Sequence, residues 1–351
     1  MVAARYKLPR YLGLLLLTIL ILAPVTVVAA TVNDALVSQQ WGWYRIKADR
    51  AYDTGYHGVG VVVALLDTGV DMGHPDLAAN IIGGWNFVDN NDNVTDVDGH
   101  GTMVAGIVAA LANNGIGTAG VAPNVNIMPL KVLSGNETRV ELNLAIKYAV
   151  DNGARVIGMS FGNYTTLSQA AETAIDYAYR RGCVLVAGVG NDNSTESFYP
   201  AAYDQVIAVS AIDQTNNRAS FSNYGSYVDF CAPGVNVLTT TKGGTYSDAN
   251  GTSFAAPFVT GVVALMLSKS PSLSPREVVA NLRTQAEDLG VIGWDQFYGW
   301  GLVDAYAAVS DAPIPEFSSV IFFVTVVSAT VAILTLKKSR GSRNAREAFY
   351  K

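Results

Sequence analysis

Charge is scarce in this sequence. Only 15% of its residues are Asp, Glu, Lys or Arg, and 50% are apolar, which excludes a chain held unfolded by its own charge. Cysteine is scarcer, with 2 in 351 residues. A disulfide scaffold is thereby excluded, and the fold must rest on an apolar core, which a chain of this length can bury. There is no internal repeat and no low-complexity tract. Histidine occurs only as His57, His74 and His100, so any imidazole chemistry must use one of these. The net charge of −6 is unevenly spread: both ends are basic, while 31–312 holds 14 basic and 27 acidic residues, a net of −13. A surface of that sign repels phosphate and suits cations, so no nucleic-acid partner is expected.

Each basic end accompanies an apolar run. Arg5, Lys7 and Arg10 precede the apolar stretch Tyr11–Ala23, and Val28-Ala29-Ala30 offers small residues for cleavage. Residues 1–30 therefore read as a signal peptide and the protein as exported. Near the other end, Phe317–Leu336 is 20 residues without charge, long enough to cross a bilayer, and Lys337, Lys338, Arg340, Arg343 and Arg346 follow at once. That is a stop-transfer pattern with its basic flank in the cytoplasm. The organisation expected is a signal peptide at 1–30, a working domain at 31–312, and a linker, span (317–336) and basic tail at 313–351. The working domain would sit at the extracellular face of the cell membrane, anchored by its C-terminus.

Within 31–312, the apolar runs Val59–Leu66, Val125–Val132, Ala154–Met159, Cys183–Val189 and Val206–Ala211 lack strict alternation. Continuous runs suit parallel strands buried on both faces. Gly101–Ala112, Val140–Asn152 and Leu167–Arg181 between them read as helices, with Gly153 and Gly182 placed as C-caps. The expected fold class is α/β, a doubly wound and mostly parallel sheet with helices on both faces.

Three side chains stand where such a sheet places chemistry. Asp67 ends an apolar strand in Leu65-Leu66-Asp67-Thr68-Gly69, and sites on open α/β sheets lie at strand C-termini. His100 sits in Asp98-Gly99-His100-Gly101-Thr102, at the start of a small-residue helix. Ser253 opens another apolar helix in Gly251-Thr252-Ser253-Phe254-Ala255-Ala256-Pro257. Taken singly, they read as well as a turn residue, a helix-start residue and an N-cap. Together they are the parts of an activated serine: a nucleophile, a base, and a carboxylate that fixes the tautomer of the base. The chain order Asp, His, Ser excludes the α/β-hydrolase and chymotrypsin orders, and Ser253 lacks the Gly-x-Ser-x-Gly elbow.

With Gly190-Asn191 and Ser160-Phe161-Gly162, these motifs make 35–308 resemble the subtilisin-like serine peptidases, and among them the thermitase-like members most. The resemblance implies a serine endopeptidase of broad specificity that forms an acyl-enzyme. It makes Asp67, His100 and Ser253 the triad, and the Asn191 side chain an oxyanion donor. It makes Ser160, Phe161 and Gly162 an edge to which an extended peptide adds, with Ser134-Gly135 as the opposite rim. It implies protein or peptide substrates and a monomer. It also implies a structural calcium held by Asp34, Asp76 and the Asn114 side chain, with the carbonyls of Leu111, Ile116 and Thr118. A second, weaker calcium site is expected among Asp89, Asn91, Asp92, Asp96 and Asp98. The chain departs from the family pattern at Met103, Phe258, Gly158 and Phe161, and Asp34 already aligns with the start of the mature domain, so either folding proceeds without the family's pro-domain or the true start codon lies upstream. A silent binding module on the same fold and a non-peptidase acyl hydrolase are the competing functions, and the intact triad and the edge motif argue against them. Pro315-Glu316-Phe317, the span and the basic tail resemble the archaeal PEF-CTERM sorting signals, so both a permanent helix and a cleaved sorting tail are open. Cys183 and Cys231 read as buried free thiols. Asn93, Asn136, Asn163 and Asn193 begin glycosylation sequons.

Overall fold

The computed structural model describes residues 32–134 and 142–310. The signal peptide, the C-terminal linker, span and tail with the sorting motif, Gly135 of the opposite rim, and the Asn136 sequon lie outside the described residues.

Among the described residues, nine strands and eight α-helices follow one another. Two short helices, α1 (Trp41–Arg45) and α2 (Ala48–Tyr52), precede β1 (Val62–Asp67) and β2 (Trp85–Asn86). Then come α3 (His100–Ala109), β3 (Asn126–Lys131), α4 (Leu142–Asp151), β4 (Val156–Met159), α5 (Gln169–Arg180), β5 (Val184–Gly188), β6 (Val206–Ile212) and β7 (Phe230–Pro233). The hairpin of β8 (Val237–Thr241) and β9 (Thr245–Ala249) leads into α6 (Thr252–Lys269), α7 (Pro275–Gln285) and α8 (Ala305–Val309). The first seven strands form one sheet in the order β2-β3-β1-β4-β5-β6-β7, and every pairing in it is parallel.

The continuous apolar runs have the reason expected. In β1, Val63 and Leu65 join one core and Ala64 and Leu66 the other, so both faces of the strand are covered. α3 and α6 pack in the first core, and α4 and α5 in the second. The sheet grows from β1 towards β3 on one side and towards β4 on the other. The C-terminal end of β1 is thus the switch point of the winding, where open sheets leave a crevice. Gly153 and Gly182 end their helices with φ of 87° and 86°, the left-handed C-cap that glycine adopts without a Cβ penalty.

α6 is apolar all round and almost wholly buried, so it is the central helix of the domain. Among the described residues it is the helix long and apolar enough to cross a membrane by length and composition. Its burial in the core explains those properties. Both cysteines are buried and free, as read from the sequence; the Cys183 thiol donates to the Ala154 carbonyl at 2.9 Å, and burial pushes its pKa up to about 11.

Candidate active site

The crevice at β1 collects the three residues in question. Asp67, the last residue of β1, is 1% exposed. His100 opens α3, and its Nδ1 lies 2.7 Å from Asp67 Oδ1. The approach needs glycine: a Cβ on Gly101 would stand 2.1 Å from the Gly69 carbonyl and 3.1 Å from the Asp67 Cβ. The Thr68 N–H also donates to Asp67 Oδ1, at 2.8 Å, while Asp67 Oδ2 is buried with no partner. The His100 side chain keeps 26% of its surface open. Burial pulls its pKa down, but the charge and hydrogen bond of Asp67, aided by Asp98 and Asp96, outweigh it, and the net direction is upward.

Ser253 lies in the first turn of α6, whose N-cap Gly251 has φ 148°. The next residue, Phe254, sets its ring 5.4 Å from the His100 ring. The Ser253 hydroxyl donates to the Ser160 carbonyl at 2.9 Å, and the Ser160 hydroxyl returns a bond to the Ser253 carbonyl at 3.0 Å. The second bond has a covalent origin. Pro257 has no N–H, so the carbonyl four residues before it, that of Ser253, has no helical donor, and Ser160 supplies one. Catalytic hydrogen bonds are often long or poorly aligned before substrate binds and tighten in the complex.

Asn191 is exposed on the loop after β5. Its Oδ1 accepts from the Thr252 N–H at 2.8 Å, so the side chain is oriented at the start of α6, with its Nδ2 3.6 Å from where a Gly251 Cβ would stand. The Gly190 N–H donates to Thr252 Oγ1 at 3.1 Å. The structure therefore gathers Asp67, His100, Ser253, Ser160 and Asn191. Phe161 borders a cavity of about 580 Å³ that Val132, Leu133, Leu142 and Leu167 also line. Gly162 packs where a Cβ would stand 2.4 Å from the Phe198 ring.

Asp96 differs from its sequence reading. It was expected to help hold a second calcium, but its carboxylate is spent on the loop around His100. Oδ1 accepts from Thr68 Oγ1 (2.9 Å) and from the N–H groups of Asp98 (3.1 Å) and Gly99 (2.8 Å); Oδ2 accepts from the N–H (2.9 Å) and hydroxyl (2.7 Å) of Thr102. Thr68 Oγ1 in turn accepts from the Gly101 N–H at 2.9 Å. Asp96 thus ties the end of β1 to the start of α3. Asp89 accepts from Asn86 at 3.0 Å, and Asn91 from the Asn93 N–H at 2.9 Å. Among the described residues no group of three or more His, Cys, Asp or Glu side chains is gathered for a metal.

Asp34, Asp76 and Asn114 lie in one hydrogen-bonded cluster. Asp76 Oδ1 accepts from Asn114 Nδ2 at 2.7 Å and Oδ2 from the Thr118 N–H at 2.9 Å. Asp34 accepts from the N–H groups of Asn113 (2.7 Å) and Asn114 (3.1 Å). The Leu111 N–H reaches the Asp76 carbonyl at 2.9 Å, and the Ile116 N–H reaches Asn114 Oδ1 at 2.9 Å. Burial pushes the Asp76 carboxyl up against hydrogen bonds from Asn114, Thr118 and Tyr246, and the Asp34 charge adds to the rise. Thr118 Oγ1 is buried with no partner. Gly117 (φ 53°) leaves room that a Cβ would fill, 2.3 Å from Asp76 Oδ2. Two buried carboxylates beside an orphaned hydroxyl fit the oxygen chemistry of a hard cation.

Comparison with known proteins agrees with this geometry. The model of the Subtilase family matches residues 58–301. Thermitase of Thermoactinomyces vulgaris is 42% identical over 284 residues, 80% of this chain and 99% of that protein. Subtilisin DY of Bacillus licheniformis is 46% identical over 270 residues, 75% of this chain and 96% of that one. Among solved structures, a protease from Pseudoalteromonas arctica superposes with a TM-score of 0.74 at 33% identity, over 80% of this chain and 99% of its own. With a matching family model, relatives covered nearly end to end and the same fold, the chain belongs to the subtilase family and is a serine endopeptidase.

Proposed function

We propose that Ser253 is the nucleophile, His100 the general base and acid, and Asp67 the residue that holds the His100 tautomer. The contact that carries this reading is the 2.7 Å pair of Asp67 and His100 beside the helix start that bears Ser253. Ser253 Oγ bonds to the substrate carbonyl carbon as His100 Nε2 takes its proton. His100 returns that proton to the amide nitrogen as the C–N bond breaks, leaving an acyl-enzyme. Water then adds by the same route, and Ser253 leaves reprotonated. The Asn191 amide and the Ser253 N–H donate to the oxyanion, and the segment Ser160–Gly162 receives the extended substrate backbone. The cavity beside Phe161 takes an apolar substrate side chain. Treatment with a fluorophosphonate should add one phosphonyl group to the peptide containing Ser253. An enzyme that cleaves casein but carries the label elsewhere, or none, would overturn the assignment.

Asp34, Asp76 and Asn114, with the carbonyls of Leu111, Ile116 and Thr118, would hold a structural calcium. When bound, it supplies charge neutralisation to two buried carboxylates. A ligand that binds only the native state adds about 2.7 kcal/mol at a hundredfold excess over Kd. EDTA should therefore lower Tm by several degrees, and Asp76→Ala should abolish that response. Glu196→Ala, a change at an exposed acid, should preserve it. A Tm indifferent to EDTA refutes the site.

The enzyme acts outside the cell, held at the membrane by the segment 317–336. Mass spectrometry of the membrane-bound protein should find an intact C-terminus at Lys351. A chain ending near Pro315 with added lipid mass would instead support cleavage and sorting. Full-length enzyme free in the medium would exclude both.

A further inference from the structure

We propose that Asn223 is a positioning residue for Asn191. The inference rests on the reading of Asn191 as an oxyanion donor. Asn191 sits on an exposed loop and needs its amide aimed at a developing charge, which a loop held only by its own backbone does poorly. The rigidity comes from behind. Asn223 is 0% exposed, and its amide spans the loop on both sides of Asn191. Its Oδ1 accepts from the N–H groups of Asp192 and Ser194, both at 2.9 Å. Its Nδ2 donates to the Val189 carbonyl at 2.9 Å, and its own N–H donates to the Gly190 carbonyl at 2.9 Å. Asp192 just after Asn191 and Val189 two residues before it are thus pinned to one buried side chain, and Gly190 to the backbone of the same residue. Gly190 has φ 99°, and a Cβ there would stand 2.4 Å from Asn223 Nδ2, so the glycine beside Asn191 admits the clamp.

The clamp also reaches the substrate edge. Asn223 Nδ2 donates to the Tyr164 hydroxyl at 3.2 Å, and that hydroxyl donates to Asp192 Oδ2 at 2.7 Å. Tyr164 lies two residues after Gly162. One buried amide therefore sets the oxyanion loop and the end of the peptide-binding segment in register with each other. No other amino acid presents an acceptor to two N–H groups and a donor to a carbonyl at this reach: aspartate lacks the donor when ionised, and serine is too short.

A double-mutant cycle tests it on the whole enzyme. Asn223→Ala should lower kcat about tenfold to a hundredfold with KM changed less than about threefold, the mark of a misplaced transition-state donor. Asn191→Ala should cost about 10²–10³ in kcat. In the Asn191→Ala background the further change at Asn223 should cost less than about twofold, because the group it aims is gone. Should the alanine variant lack a cooperative melt, Asn223→Asp, which keeps the acceptor for Asp192 and Ser194, goes through the same cycle with the same expected non-additivity. Wild-type kcat in a folded Asn223 variant, or losses that multiply, would overturn the inference while leaving Asn191 in place. An Asn191→Ala enzyme with unchanged kcat would remove the oxyanion reading itself, and this inference with it.

Discussion

Ser253→Ala is expected to lower kcat about a millionfold while leaving KM and Tm nearly unchanged. Removing the corresponding serine of subtilisin, a relative, costs about 2 × 10⁶ in kcat. Its physical basis is general. Without the hydroxyl no acyl-enzyme forms, and His100 and Asp67 have no nucleophile to activate. What survives is roughly 10³–10⁴ over the uncatalysed reaction, because oxyanion donors and binding groups still act on direct attack by water. Here those groups sit on segments the serine hydroxyl does not support. The hydroxyl gives one hydrogen bond, to the Ser160 carbonyl, whereas the reciprocal bond from Ser160 ends on the Ser253 backbone and survives the change. Helix α6 therefore remains docked against the β4 end. Casein hydrolysis by purified wild-type and variant enzyme measures the loss. Activity in the variant within tenfold of wild type would remove Ser253 from the reaction.

Much of this was readable from residues, and the pattern of success is physical. The parallel strands announce themselves because both faces of the sheet are covered, so β1, β3, β4, β5 and β6 are predominantly apolar, with few polar residues such as Asn126, Lys131 and Ser210 among them. The β8–β9 hairpin is not announced. Val237–Thr241 and Thr245–Ala249 are short and polar, with Lys242-Gly243-Gly244 turning between them, and no periodicity separates them from loop. β7 was missed for another reason: Phe230–Pro233 is four residues with a terminal proline, tolerable only because it is the edge strand. Among site residues, Asp67, His100 and Ser253 were legible because each ends or begins an element. Asn191 as an oxyanion group came from family resemblance alone. Asp96 was misread because an acidic loop shows its charges in sequence but hides its donors. The hydroxyls of Thr68 and Thr102 and three loop N–H groups take its oxygens, and their convergence exists only in the fold. Asn223 was invisible for the same reason, since an asparagine in Ser222-Asn223-Tyr224-Gly225 reads as a turn until its four loop contacts are seen.

Asp67→Asn is expected to lower kcat about 10⁴-fold and to move the acid limb of the pH profile downward. Asp67 Oδ1 serves two donors, His100 Nδ1 and the Thr68 N–H. If the asparagine oxygen takes that place, the new NH₂ falls where Oδ2 now lies, buried and without an acceptor. If the amide is turned over, its NH₂ faces the Thr68 N–H and drives the proton of His100 to the nitrogen that must accept from Ser253. Either way the charge that favours imidazolium in the transition state is lost. The pH consequence has a definite sign. Burial alone lowers the His100 pKa, and Asp67 is the chief influence holding it above the usual 6.5. A base must be neutral to accept a proton, so wild-type kcat/KM should rise with pH through a midpoint above 6.5. In Asp67→Asn the largest raising influence is gone, and the midpoint should move below its wild-type position. Profiles of kcat/KM on a neutral peptide report the pKa of the free enzyme. A residual activity whose acid limb keeps its wild-type midpoint would mean that Asp67 does not set the ionisation of His100, and would dissolve the triad as read here.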